Sequence, residues 1–396
     1  MMKTKLLVLL LAILLPLTTV RTSANTPLPD SETEVYTLET VENGSLSLDC
    51  VSALLMEAST GTVLYEQNAD EMLPPASVTK IMTLLLVMEA IESGVIRLDD
   101  TVTVSANAAS MGGSQVFLKE GEQMSVEDML KCVIIASAND AAVALAEHIC
   151  GNESTFVAKM NERAKELGMM NTVFENTNGL DDTAVAHLTS ARDIAIMSRE
   201  LIRHEKILEY SSIWMDTVRN GEFGLTNTNR LVRFYKGCTG LKTGSTAKAG
   251  FCISATAERD GMSLICVIMG AKSRDVRNAQ ATSLLDWGFA SYALYQADGG
   301  NAEPLTVLGG KIRQVGTSYS GFSCILPRSE ISGVERKAEQ QTELSAPLKK
   351  GDEVGKITYS CGGKIIGTVP VTVAEDVERL TWWQIFLRML AIYTLK

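Results

Sequence analysis

The chain has 396 residues, 46% of them hydrophobic, and carries 47 acidic side chains against 36 lysines and arginines, a net charge of −11. That length and apolar content supply cores for two domains plus ends. The acidic balance, with no basic block or patterned aromatic stripe, argues against nucleic acid as a partner, so an anionic ligand has to be held by a local cationic site.

Lys3 and Lys5 precede an apolar run from Leu6 to Leu17, followed by Thr22-Ser23-Ala24. This is the pattern of a secretory signal over residues 1–24, and the run is too short to make a good spanning helix. Its removal would take Lys3, Lys5 and Arg21 with it and move the net charge from −11 to −14. Residues 25–45, with Pro27, Pro29 and five acidic residues between Asp30 and Glu42, read as a flexible lead-in.

Residues 52–58 and 62–66 are strand-like runs around Ser59-Thr60-Gly61, a hairpin. Residues 250–257 and 262–269 flank Asp260-Gly261, a second hairpin with a strong turn signal. Gly240–Ser245 stands close enough to add a fifth strand. Residues 75–205 are mostly helical in pattern. Strands from both ends of the segment with helices between them predict an α+β domain over residues 46–298, one antiparallel five-stranded sheet packed on a helical lobe.

Three stretches of this domain carry chemistry. In Pro74-Pro75-Ala76-Ser77-Val78-Thr79-Lys80, the prolines suit a helix start and the apolar run from Ile81 predicts a buried helix. Ser77 and Lys80 then share one face of the first turn. A hydroxyl there has backbone N–H groups and a positive dipole end close by, and a desolvated amine beside it loses basicity and can accept its proton. A helix-start serine is also an ordinary cap, and the same spacing recurs at Ser245–Lys248; only the first copy opens a buried helix. The second stretch is Ser137-Ala138-Asn139-Asp140, which interrupts two apolar helical runs. Asn139 or Asp140 reads as an N-cap, or else Ser137 serves as a proton relay and Asn139 as an amide that holds Lys80 and the substrate backbone. Ser105-Ala106-Asn107 repeats the spacing, but after a strand-like run rather than between buried helices. The third is Lys242-Thr243-Gly244, where a lysine, a hydroxyl and a glycine suit a carboxylate lying along a strand edge, although an edge lysine that discourages aggregation reads the same way. Arg230 is a candidate second cation for that carboxylate.

Ser-Val-Thr-Lys at 77–80, Ser-Ala-Asn at 137–139 and Lys-Thr-Gly at 242–244, in this order, resemble the three motifs of the penicillin-binding serine D-alanyl-D-alanine carboxypeptidases. Met111-Gly-Gly-Ser114, Asn178-Gly-Leu-Asp181 and Leu241–Gly250 are similar to that family as well, and the likeness spans roughly residues 45–295. The resemblance implies a β-lactamase/transpeptidase-like fold and a role for each matching residue. Ser77 would attack the carbonyl of a terminal D-alanyl-D-alanine bond with Lys80 as general base, and Ser137 would pass the proton to the leaving D-alanine. Asn139 would position the acyl chain, and Lys242, Thr243 and Gly244 would receive the terminal carboxylate. The N–H groups of Ser77 and Ser245 would form the oxyanion hole. It also implies peptidoglycan stem peptides as substrate and β-lactams as covalent inhibitors.

Eight cysteines are spread without Cys-x-x-Cys pairs, and the three histidines show no ligand or triad spacing. No metal and no cofactor is expected. A class A-like β-lactamase shares the first motif but would require Glu-x-x-Leu-Asn; here Glu166 leads into Leu-Gly-Met-Met-Asn171, one residue too long. Gly237-Cys-Thr-Gly240 departs from the carboxypeptidase pattern, where an acidic residue is expected near Thr239. A transpeptidase or endopeptidase balance and a catalytically silent envelope scaffold stay open as alternatives.

Residues 303–375 change to short β-rich runs with glycine turns, a small all-β C-terminal domain. Residues 377–396 are helical in pattern, with Thr381, Gln384 and Arg388 on one stripe and Trp382, Trp383, Phe386, Leu387, Met389 and Leu390 around the rest. This predicts an interfacial amphipathic helix with aromatic anchors. Together with the export signal, the resemblance implies a chain held on the outer face of the bacterial cytoplasmic membrane.

Overall fold

The computed structural model describes residues 46–181 and 184–394; the expected signal and lead-in lie outside the described residues. Strand β1 (Ser52–Glu57) is buried along its whole length, the signature of a strand covered on both faces. It pairs antiparallel with β2 (Val63–Gln67) on one side. Strands β3 (Cys238–Thr246), β4 (Gly250–Arg259) and β5 (Met262–Ala271) complete a five-stranded sheet in the order β2-β1-β5-β4-β3. Asp260 and Gly261, with φ of +51° and +76°, make the tight turn between β4 and β5. The two hairpins therefore come from opposite ends of the domain and meet at β1 and β5, as the sequence pattern predicts.

Side-chain alternation splits the sheet between two cores. Leu54, Met56, Ile265 and Val267 face the helical lobe. Ala53, Leu55, Leu264, Cys266 and Ile268 face the helix Arg274–Ser291 on the other side. At the centre of the lobe lies α1 (Lys80–Glu92), reached through a short 3₁₀ turn at Ala76–Thr79. Its flanks are α2 (Val126–Ile134) and α3 (Asn139–Cys150). Ser125, Asn152, Ser190 and Ser273 cap helices through their side chains. Helix α3 is different: its N-cap is Ala138 and no side chain caps it. Asn139 and Asp140 are thereby released for other partners, which decides against the capping explanation of that motif.

β3 is the sheet edge that faces the start of α1, and Gly244 makes the approach possible. A Cβ at Gly244 would lie 2.8 Å from the Ser77 nitrogen and 2.9 Å from the Pro75 oxygen and the Val78 nitrogen. The absent side chain serves the packing of strand against helix start, a tighter constraint than the room for a ligand expected from the motif.

After the helix Arg274–Ser291, a ribbon of Tyr292–Ala297 and Phe322–Pro327 leads to a six-stranded sheet built from residues 300–373. Val315, Ile357, Tyr359, Val371 and Val373 form its own core. The last helix, Trp382–Thr394, follows. Among the described residues no helix is long and apolar enough to cross a membrane, and all eight cysteines are free.

Candidate active site

Lys80 is wholly buried, and its Nζ lies 2.9 Å from Ser77 Oγ, 2.6 Å from Asn139 Oδ1 and 2.8 Å from the Asn178 carbonyl oxygen. Burial, and then the charge of Lys242, hold its pKa well below the usual lysine range, against an opposing pull from Asp140. The three partners suit a neutral amine. Its two N–H groups serve the carbonyl oxygens of Asn139 and Asn178, and its lone pair is left for the Ser77 hydroxyl. The Asn139 amide is fixed from its other end, where Nδ2 donates to the Gly112 carbonyl at 2.7 Å.

Asp140, the next residue, turns into the protein interior. Its carboxylate accepts from the backbone N–H groups of Val116 at 3.1 Å and Leu118 at 3.0 Å, and of Ala141 at 2.9 Å. It thereby clamps the loop that carries Gly112 and Ser114, and Ser114 in turn accepts from the Asn139 N–H at 2.7 Å.

Ser137 joins the second lysine. It holds a left-handed φ of +63°, an uncommon conformation for a residue with a side chain, which swings its hydroxyl inward. Lys242 Nζ donates to Ser137 Oγ at 2.9 Å and to the Thr243 carbonyl at 3.0 Å. Burial, and then the Arg277 charge, lower the Lys242 pKa to about 7. The neighbouring Thr243 donates its hydroxyl to Thr228 Oγ1 at 2.9 Å, and both threonines line the same cleft as Ser137.

Ser77, Ser137 and Thr243 open onto a cleft of about 320 Å³, while Lys80, Asn139 and Lys242 are buried and stand outside its lining. Ser77, Ser137, Thr243, Gly244, Ser245 and Arg230 line it, so the three motifs and Arg230 converge on one space. Of the second Ser-x-x-Lys spacing only Ser245 lines the cleft, while Lys248 is exposed and donates to the Asp181 carbonyl at 3.0 Å. Ser105, of the second Ser-Ala-Asn stretch at 105–107, caps the short helix at 106–109, and Glu166 ends the helix Glu153–Glu166, paired with Arg163 at 3.0 Å. Thr239, where an acidic residue is expected, bonds instead to Thr256 at 2.8 Å through its hydroxyl.

Several cleft residues escaped the sequence reading. Arg274 and Arg277 line the cleft with Arg230. Among the described residues no carboxylate forms an ion pair with Arg277, although it is buried and its pKa is pulled down to about 10 by desolvation and then by Arg274. The lining holds, among the described residues, three arginines and no carboxylate, a local cationic site in an acidic protein. A signal for Arg277 was present: it falls on the same helical stripe as the buried Ala281, Leu284, Leu285 and Gly288, where a charge is out of place. Asn178 and its backbone contact to Lys80 had only the quoted Asn-Gly-Leu-Asp stretch to mark them.

Comparison with known proteins places the chain in a family. The D-alanyl-D-alanine carboxypeptidase family model matches residues 39–273, and the model for the C-terminal domain of penicillin-binding protein 5 matches residues 289–379. The chain is 43% identical over 342 residues to the D-alanyl-D-alanine carboxypeptidase DacF of Bacillus subtilis, covering 84% of this chain and 87% of that one. The crystal structure of penicillin-binding protein 5 from Haemophilus influenzae superposes with a TM-score of 0.75 at 32% identity, covering 84% of this chain and 99% of that one. Penicillin-binding protein D2 of Listeria monocytogenes, solved in its ampicillin-bound form, gives a TM-score of 0.57 at 33% identity over 62% of this chain and 99% of its own. With both family models and a relative of this identity spanning most of its length, the chain belongs to the D-alanyl-D-alanine carboxypeptidase family of low-molecular-mass penicillin-binding proteins.

Proposed function

We propose that Ser77 is the nucleophile of this serine-type D-alanyl-D-alanine carboxypeptidase and Lys80 its general base. The observation that carries the assignment is the buried Lys80 amine, 2.9 Å from Ser77 Oγ, with both remaining N–H groups matched to carbonyl oxygens. As Ser77 Oγ bonds to the carbonyl carbon of the penultimate D-alanine, its proton passes to the Lys80 lone pair. The charge that develops on the carbonyl oxygen is met by the N–H groups of Ser77 and Ser245. The C–N bond then breaks, and the leaving nitrogen takes a proton through Ser137. A water molecule repeats the sequence on the ester and releases the shortened stem peptide. Asn139 holds Lys80 and positions the acyl chain.

Lys242, Thr243 and Arg230 receive the terminal carboxylate, and Arg277 adds its charge to the same site. Arg277 supports this: it is buried, its hydrogen-bond partners are the neutral Asn278 Oδ1 at 2.9 Å and the Cys252 carbonyl, and among the described residues it forms no ion pair, so its charge favours an anionic partner. A β-lactam resembles the dipeptide and carries the same carboxylate; it acylates Ser77 and leaves slowly. Release of D-alanine from an N-acylated Lys-D-Ala-D-Ala peptide tests the assignment: wild type should release it, and Ser77→Ala should not.

The mature chain acts outside the cytoplasm, on the outer face of the membrane, where its peptidoglycan substrate lies. The signal-like residues 1–24 support export. The last helix supports peripheral anchoring. Trp382 and Trp383 are 75% and 59% exposed, and Leu387, Met389 and Ile392 are exposed beside them. The polar stripe makes hydrogen bonds within the protein: Thr381 and Gln384 bond each other at the helix start, and Arg388 donates to the Lys311 carbonyl at 2.8 Å. The exposed apolar and aromatic side chains around it suit an interfacial layer rather than water. Co-sedimentation with lipid vesicles, lost on truncation after Arg379, tests this part.

A further inference from the structure

The peptide unit between Ala76 and Ser77 is held from behind by Thr79, a residue of the first motif, and by His187 and Gly179 outside the three motifs. Ala76 has a left-handed φ of +49°, and its carbonyl accepts from Thr79 Oγ1 at 2.8 Å. Thr79 Oγ1 lies 2.7 Å from His187 Nε2. The roles in this chain are fixed by elimination. A backbone N–H, that of Glu175, donates to His187 Nδ1 at 3.0 Å, so the proton of the neutral ring sits on Nε2. Nε2–H therefore donates to Thr79, whose single proton is left for the Ala76 oxygen. Burial supports the neutral ring by pulling the His187 pKa down to about 4. On its other side the Ala76 carbonyl touches Gly179, where a Cβ would lie only 1.8 Å from the oxygen.

A peptide unit is planar and trans, so fixing the Ala76 C=O also fixes the Ser77 N–H at its opposite end. That N–H is the oxyanion donor of the proposed mechanism. An amide whose carbonyl accepts a hydrogen bond is also a stronger N–H donor, because bonds in a chain polarise one another. We propose that His187 and Thr79 are positioning residues of the oxyanion hole, acting through the Ala76–Ser77 peptide to aim and polarise the Ser77 N–H. The inference rests on the reading of Ser77 as nucleophile and names the support of its oxyanion site. Neither residue touches substrate; both act through the backbone.

The test is stopped-flow acylation by a fluorescent penicillin with the full-length mature protein, resolving the initial dissociation constant from the acylation rate and following deacylation afterwards. Removing an oxyanion donor outright costs about 10²–10³-fold, so loss of its support should cost less. Thr79→Val and His187→Ala are each expected to slow acylation and deacylation together by about tenfold, with the initial dissociation constant within about twofold of wild type. Thr79→Ser and His187→Gln, which keep a donor, should recover most of the rate. Because the two act in series, the double variant should be no slower than the worse single one. Wild-type rates in well-folded Thr79→Val, a loss confined to initial binding, or losses that multiply in the double variant would each overturn the proposal. If His187→Ala fails to fold, Thr79→Val and His187→Gln carry the test. Absence of acylation in wild type would refute the underlying assignment instead, so the two failures are distinguishable.

Discussion

Lys80 Nζ and Asn139 Oδ1 lie 2.6 Å apart, both side chains buried, one at the start of α1 and the other at the start of α3. A neutral amide accepts from the Lys80 amine without favouring its charged form strongly. A carboxylate in the same place would stabilise the ammonium and fill the lone pair that Ser77 needs. Asn139→Asp should therefore slow acylation by penicillin by about 10²-fold or more, within the range of lost general-base catalysis, while the protein stays folded. Recovery of part of the rate at high pH, as the Lys80 proton is lost, would confirm the cause.

Lys242 gives opposite pH trends for stability and for binding. Its folded pKa is about 7, whereas an unfolded lysine stays protonated to about 10. Between those values the unfolded chain binds more protons, so the Lys242 contribution to stability rises with pH and is at its least favourable below about 7. Denaturation measured against Lys242→Met should show wild type gaining on the variant from pH 7 to pH 10. Substrate capture moves the other way: kcat/KM for a carboxylate-ended peptide should fall as the free enzyme loses the Lys242 charge. Because Arg277 also depresses the Lys242 pKa, Arg277→Gln should shift that alkaline limb to higher pH while raising KM.

Gly244→Ala places a methyl group 2.8 Å from the Ser77 nitrogen, against backbone that has no side-chain freedom to yield. Overpacking of this kind costs about 1–3 kcal/mol. Thermal melting should report that loss, and acylation should slow because the strand and helix start that carry the oxyanion donors are forced apart.

The strands, the two hairpins and the three motifs are legible in the sequence because each is a local pattern: alternation, a turn dipeptide, or a short run at a helix start. The support of the site is not. Asp140 bonds Val116 and Leu118 across more than twenty residues, His187 meets Thr79 across 108, and Arg277 reaches the cleft from a helix on the far side of the sheet. No periodicity encodes such contacts, since packing alone brings them together. The capping explanation of Asn139-Asp140 fails for a related reason: a cap is chosen by backbone geometry, and here Ala138 occupies that place.

Asp140→Asn removes a charge that opposes the low Lys80 pKa and replaces one acceptor oxygen with a donor facing backbone N–H groups. The loss of one or more of those bonds should cost about 1–3 kcal/mol in urea denaturation. The pKa of Lys80 should fall further, moving the acid limb of the acylation profile to lower pH. An unchanged profile would show that Asp140 acts on the loop alone.

The central claim is that Ser77 becomes covalently acylated. Intact mass of the purified mature protein, measured after brief incubation with penicillin and repeated on Ser77→Ala, tests it most directly. A gain of one penicillin is expected in wild type and none in the variant. An adduct that survives in Ser77→Ala, or a wild-type protein left unmodified, would contradict it.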